Sequence, residues 1–309
     1  MAEPLGVRCG SESRWVGEAL VGTASTIQAW LAVEQPGAWG PKALRESALD
    51  PEVAAAIERA ASPHGVRVLL IRRPRRSAAE ATADGRRRVY LAHTGREGRW
   101  IEQLDLAADD LAELADLPFS EFGRALPPGI GSVGPRSVHF VCTHGRHDPC
   151  CADFGRPVIR ALVDAGVDEV WETSHIGGDR FAANLLALPD GIYYGRVEPE
   201  RAAALVADHR AGLIDLDHYR GVSCWPPAVQ AAEAFAREWL GERGIGAVSV
   251  TSVIRQDGVL RVRVVRDDGT GAEVDVTRHQ AEARQLTCHA ANEARPWRFE
   301  RAAIRPLPH

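Results

Sequence analysis

Apolar positions along the chain fall into short strand-like runs, separated by stretches whose spacing suits helices. Residues 26–33 have strand-forming content, and the Pro- and Gly-rich stretch 35–41 ends it. Residues 51–61 predict a helix, because Asp50 suits the N-cap and Pro51 the first turn, where a missing N–H costs nothing. Residues 66–71, 88–92 and 99–102 predict three strands, and 109–117 a second helix. The order is β-α-β-β-β-α. Pro and Gly crowd residues 126–135, which reads as a linker.

After the linker the pattern returns. Residues 137–141 predict a strand and 158–165 a helix; 169–173, 184–188 and 192–197 predict strands, the last two joined across Pro189-Asp190-Gly191. Residues 199–211 predict a helix, completing β-α-β-β-β-α again. Starts of matching elements are offset by roughly 110 residues early and roughly 90 late, within the boundary error of such readings. The expected architecture is therefore a duplicated α/β arrangement.

The remainder predicts a helix at 228–240 after Trp225-Pro226-Pro227, then alternating strands at 247–254 and 259–265 around Asp257-Gly258. Pieces near 273–276, 285–288 and 297–304 extend an antiparallel sheet. The expected units are 1–133, an N-terminal α/β domain; 134–221, a second α/β domain; and 222–309, a C-terminal α+β extension.

Composition narrows the function. A chain of 309 residues, 45% hydrophobic and 26% charged, can bury a sizeable core. No run approaches the ~20 apolar residues that span a bilayer, and residues 1–15 lack the apolar region of a signal peptide. A net charge of −5 argues against binding driven by phosphate neutralisation, so neither a membrane nor a nucleic acid is the expected partner. Six cysteines are too few for a disulfide scaffold, and reduced thiols in the cytoplasm are the expectation. All basic residues but Lys42 are arginine, a bias that reads as GC-rich coding.

Two patterns dissolve on inspection. Gly129-Ile-Gly131-Ser-Val-Gly134 has the letters of a dinucleotide fingerprint but no strand before it and no helix after it, so it reads as linker. Arg72, Arg73, Arg75, Arg76 and Arg86 to Arg88 flank a mildly acidic stretch containing Glu80 and Asp84, which reads as a solvated hairpin loop.

The cysteines are unevenly placed. Cys9, Cys224 and Cys288 stand alone, whereas Cys142, Cys150 and Cys151 fall together beside His144 and His147. This segment leaves the C-terminal end of a predicted strand, the edge of an α/β sheet where ligand sites gather. Its density of thiols and imidazoles reads as a metal or cluster site rather than core packing, and no C-x-x-C redox pair occurs. The end of the next predicted strand adds His175 and Asp179 around Gly177 and Gly178, which allow close backbone approach to an inorganic group.

The runs C-T-H-G-R-H-D-P-C-C-A-D-F-G-R-P and W-E-T-S-H-I-G-G-D-R-F-A-A-N-L-L-A-L-P-D-G-I-Y-Y-G-R-V resemble the sucrase/ferredoxin-like family, related to thioredoxin-like [2Fe-2S] ferredoxins. The likeness reaches upstream through Gly22-Thr-Ala, Trp30-Leu, residues 34–40 and 67–74, and spans roughly 22–224. It implies a thioredoxin-like ferredoxin domain at 134–221 and a [2Fe-2S] cluster held by two cysteines spaced C-x8-C and two histidines spaced H-x3-H. Cys142 and Cys151 match the cysteines and His175 the first histidine, while Asp179 replaces the second. The fourth ligand is then Asp179, or Cys150, His144 or Cys288 in its place.

On this reading Gly177 and Gly178 offer amides to the cofactor and Arg180 offsets its charge. The protein is an electron carrier or redox component rather than a stand-alone catalyst, served by a reductase or oxidase. Two rivals stay open. The same Cys/His/Asp set suits zinc, and a metal-free thioredoxin-like interaction module needs none of it. The family's "sucrase" label implies nothing here, since no glycosidase carboxylate pair presents itself.

Overall fold

A computed structural model describes residues 8–74 and 85–307. Arg75, Arg76, Glu80 and Asp84 of the basic loop lie outside the described residues. The first half contains helix α1 (Cys9–Trp15), strand β1 (Ala29–Glu34), helix α2 (Pro51–Ala61) and strands β2 (Val66–Arg72), β3 (Arg86–Thr94), β4 (Arg99–Ala107) and β5 (Ser132–Val133). The second half contains β6 (Val138–Cys142), α3 (Pro149–Asp164), β7 (Val170–Thr173), β8 (Leu185–Leu188), β9 (Ile192–Tyr194), α4 (Pro199–Arg210) and β10 (Tyr219–Val222).

One ten-stranded sheet runs through both halves in the order β10-β9-β8-β6-β7-β2-β1-β3-β4-β5. Strands on either side of residue 133 therefore share hydrogen bonds, through the antiparallel pair β2–β7 (Ile71 opposite Thr173). Within it β4-β3-β1-β2 mirrors β9-β8-β6-β7. In both sets the inner pair is parallel (β1–β2, β6–β7) and the others antiparallel. The repeated order in the sequence thus has a topological counterpart in the sheet.

The central strands alternate side chains between two covered faces. Trp30, Tyr90, Phe140 and Trp171 come from four strands of the two halves and meet in one core, which also takes in Cys142 and Cys151. Both cysteines of the C-x8-C pair are thus held by packing from strands of both halves.

Three local expectations change. The helix expected at 158–165 begins at Pro149, with the Asp148 carboxylate accepting the Cys150 N–H at 2.8 Å as its N-cap, so Cys150 and Cys151 lie on its first turn. Gly155 and Pro157 are poor helix formers, but a buried apolar stripe outweighs their propensity cost. Residues 108–116 form a 3-10 rather than an α-helix, and 285–288 form no strand.

Helix α5 (Pro227–Leu240) then packs on a separate antiparallel sheet, β11 (Val248–Gln256), β12 (Val259–Arg266), β13 (Gly271–Gln280) and β14 (Trp297–Pro306). A buried ion pair of Glu233 with Arg237 joins this extension to the large sheet, because Glu233 also accepts the Tyr219 hydroxyl of β10 at 2.7 Å.

Gly155 sets how closely α3 approaches β6. A Cβ there would lie 2.1 Å from the Cys142 carbonyl oxygen, a backbone atom that cannot swing away. Gly155→Ala is expected to push the helix bearing Cys151 off the strand bearing Cys142 and to cost about 1–3 kcal/mol. A thermal melt unchanged from wild type would contradict this.

Candidate metal centre

The donors assemble at the C-terminal edge of the parallel pair β6–β7. Cys142 ends β6 opposite Thr173 of β7, and its N–H donates to the Asn184 carbonyl at 3.0 Å. Cys151 approaches from the first turn of α3, while His175 and Asp179 sit on the loop after β7. Sγ of Cys142, Sγ of Cys151 and a ring nitrogen of His175 lie within 4.8 Å of one another. The Asp179 carboxylate is 3.1 Å from Cys151 Sγ and 2.8 Å from His175 Nδ1. All four predicted ligands therefore converge.

The loop has its shape for identifiable reasons. Gly177 and Gly178 adopt φ of +102° and +81°, and a Cβ on either would lie 2.4 Å from Ser25 Oγ or the Arg220 guanidinium. Arg220 is 1% exposed and donates to the Gly177 carbonyl at 3.0 Å, Asn184 Oδ1 at 2.7 Å and Thr23 Oγ1 at 3.0 Å. The first half braces the loop too: Arg67 donates to the His175 carbonyl at 2.8 Å and Ser25 to that of Ile176 at 3.0 Å.

Arg180 needs correction. Its guanidinium pairs with Glu18 at 2.9 Å, so the buried cation that faces the donors is Arg220. Burial lowers the Arg220 pKa to about 10, against the opposing pull of anionic neighbours including Asp179 and Cys142.

The substitutes expected for the fourth ligand are placed elsewhere. His144 donates from Nε2 to the Gly40 carbonyl at 2.8 Å and accepts the His175 N–H on Nδ1 at 3.3 Å, so both its nitrogens are used. Cys150 and Cys288 turn away into a separate group with Cys9. The residue that sequence reasoning missed is His147. Its ring stacks on His175 at 3.8 Å between centroids, with Nε2 3.9 Å from Asp179 Oδ2. One signal was available: with Asp148 as N-cap, His147 precedes the helix four positions before Cys151, and the two can share a side.

Charge is tightly coupled among these groups. The Cys142 thiol is held well below the ordinary thiol range by hydrogen bonding from Cys151, in spite of burial, with help from His175. Cys151 is pushed up in turn by that bond and by burial. Burial alone would lower the His175 pKa, yet contact with Asp179 and Cys142 raises it to about 9. Asp179 is lowered by His175 against its own desolvation.

This set suits a metal group. Two thiols and an imidazole are soft to borderline donors, and with one harder carboxylate they make a set of the kind that holds iron–sulfur clusters or zinc, and not the all-oxygen cage of magnesium or calcium. His175 Nδ1 is buried without an aligned hydrogen bond, its contact with Asp179 being ionic only. The imidazoles border a cleft of about 760 Å³ lined by Lys42, Arg45, Arg67, His144, His147 and His175, which gives the group room on that side.

The family model described as Sucrase/ferredoxin-like matches residues 20–221. No curated protein matches the chain. Among solved structures, the thioredoxin-like [2Fe-2S] ferredoxin from Aquifex aeolicus is 20% identical over 30% of this chain and 97% of its own, with a TM-score of 0.26. Two cysteine-to-serine variants of that ferredoxin are each 21% identical over 27% of this chain and 96% of theirs, with TM-scores of 0.24.

Proposed function

The chain belongs to the sucrase/ferredoxin-like family, and on that premise we propose that it is a redox protein carrying a [2Fe-2S] cluster on Cys142, Cys151, His175 and Asp179. The observation that carries the reading is the convergence of two buried thiols with His175 inside 4.8 Å, Asp179 touching two of the three. When bound, the cluster supplies one-electron chemistry. The protein's own residues do the rest. Cys142 and Cys151 contribute anionic sulfur from rigid elements, a strand end and a helix start. Arg220 offsets negative charge from beneath the loop, with Gly178 making space for it. His147 and His175 form the exposed side, 36% and 20% accessible at their side chains. A redox protein docking there would meet imidazole before sulfur, and an imidazole beside a cluster couples proton uptake to reduction.

Protein purified without oxygen is expected to be reddish-brown, with two irons and two sulfides per chain. Zinc at this site instead of iron would favour the rival that the compact donor set also supports. Asp179→Ala is expected to lose most of the iron, whereas His147→Ala retains it. The reverse result would make His147 the fourth ligand.

A further inference from the structure

A second group of thiols lies on the other side of the α3 N-terminus. We propose that Cys9, Cys150 and Cys288, with Asp148, form a structural zinc site separate from the redox centre. The three sulfurs come from α1, α3 and the loop between β13 and β14. They lie 3.7 Å (Cys9–Cys150), 3.4 Å (Cys150–Cys288) and 3.5 Å (Cys9–Cys288) apart. All three are free thiols. A tetrahedral ion with metal–sulfur bonds of about 2.3 Å needs sulfurs about 3.8 Å apart, so the triangle fits one ion with little adjustment. A disulfide would join only two of the three and needs an S–S distance of about 2.05 Å.

The fourth corner is already polar. Asp148 is fully buried, and its carboxylate lies 3.7 Å from Cys9 Sγ. Its two oxygens accept the N–H groups of Cys150 at 2.8 Å and Cys288 at 2.6 Å, which fixes it while leaving lone pairs for a metal. The Gly10 N–H donates to Cys150 Sγ at 3.4 Å, the kind of outer contact that orients a thiolate ligand. Arg8, at the rim, is exposed; it pairs with Asp153 at 3.5 Å and also reaches Cys288 from the solvent side. A buried carboxylate among three thiols calls for a cation.

Zinc fits better than a second cluster. Ala182 and Phe154 pack around the sulfurs, and three sulfurs this close, with one carboxylate, match the four-ligand set of a single tetrahedral ion. Alternation around the N-cap separates the two groups: His147 and Cys151 face one, Asp148 and Cys150 the other. The ion would staple the N-terminal helix and loop 281–296 to the ferredoxin-like half, and that loop has only the Arg284–Ala294 bridge for regular structure. Its binding energy would then be folding energy.

The test uses the full chain with Cys142→Ser and Cys151→Ser, which removes the first site's thiolates, kept reduced and titrated with zinc. One zinc per chain is expected. Cobalt in its place should give thiolate charge-transfer and tetrahedral ligand-field bands. Adding Cys9→Ser or Cys288→Ser should weaken zinc binding by more than about 100-fold. A folded chain that takes up no zinc, or one whose zinc affinity ignores both additions, overturns the proposal. Should the double variant not fold, the same titration compares the otherwise native chain with Cys288→Ser alone. That substitution lies in a half-buried loop, and loss of one zinc with iron unchanged is the expected result. Equal zinc in the two chains overturns it.

Discussion

Replacing Cys142 with serine is expected to yield a folded chain with at least about tenfold less iron and no cluster absorption in the visible. Serine matches cysteine in shape, so the packing at the end of β6 survives, and a buried hydroxyl costs at most about 1–3 kcal/mol. Its chemistry does not match. A hydroxyl is a hard donor that stays protonated at neutral pH, whereas the Cys142 thiol is biased toward thiolate by Cys151 and His175. Absorbance and iron content of the anaerobically purified variant measure the effect. A spectrum identical to wild type would remove Cys142 from the ligand set.

Arg220→Met is expected to destabilise the fold by about 3–5 kcal/mol and to reduce cluster retention. The guanidinium is buried and hydrogen-bonds Gly177, Asn184 and Thr23, and it sits over the rings of Phe181 and Tyr193 at 5.1 and 5.4 Å. Methionine keeps much of the volume but leaves those oxygens unpaired. It also removes a buried positive charge that interacts with Asp179 of the loop and with Cys142 at the end of β6. Urea unfolding should show a lower midpoint at unchanged slope. A loss under about 1 kcal/mol would show that water replaces the guanidinium at little cost.

Much of the centre was legible in the chain itself. Strand ends at Cys142 and Thr173 are marked by apolar runs, and donors just past a parallel strand end must share an edge of the sheet. The strands β1–β4 and β6–β9 were likewise readable from local pattern. Asp148-Pro149 is also a readable helix start, an N-cap followed by Pro at the first position, yet the helix expected at 158–165 left out this first turn, and with it the shared side of His147 and Cys151.

What local pattern cannot carry is convergence from afar. Cys9 lies on a short, isolated helix outside any strand order, and Cys288 sits in a loop, so nothing near either predicts that their sulfurs come within 3.5 Å. Arg220 belongs to a four-residue edge strand, and its role depends on contacts with residues 23, 177 and 184. Arg180, adjacent to the ligand loop in sequence, was the natural choice for the counter-charge. Glu18, brought in by the N-terminal segment, takes it instead.

Mössbauer spectroscopy of iron-57-enriched, oxidised protein tests the central claim most directly. Two sulfur ligands on one iron and a nitrogen with an oxygen on the other predict two inequivalent ferric sites of equal intensity in a diamagnetic pair. A single doublet from equivalent irons, a mononuclear iron signal, or iron-free protein after anaerobic reconstitution would contradict it.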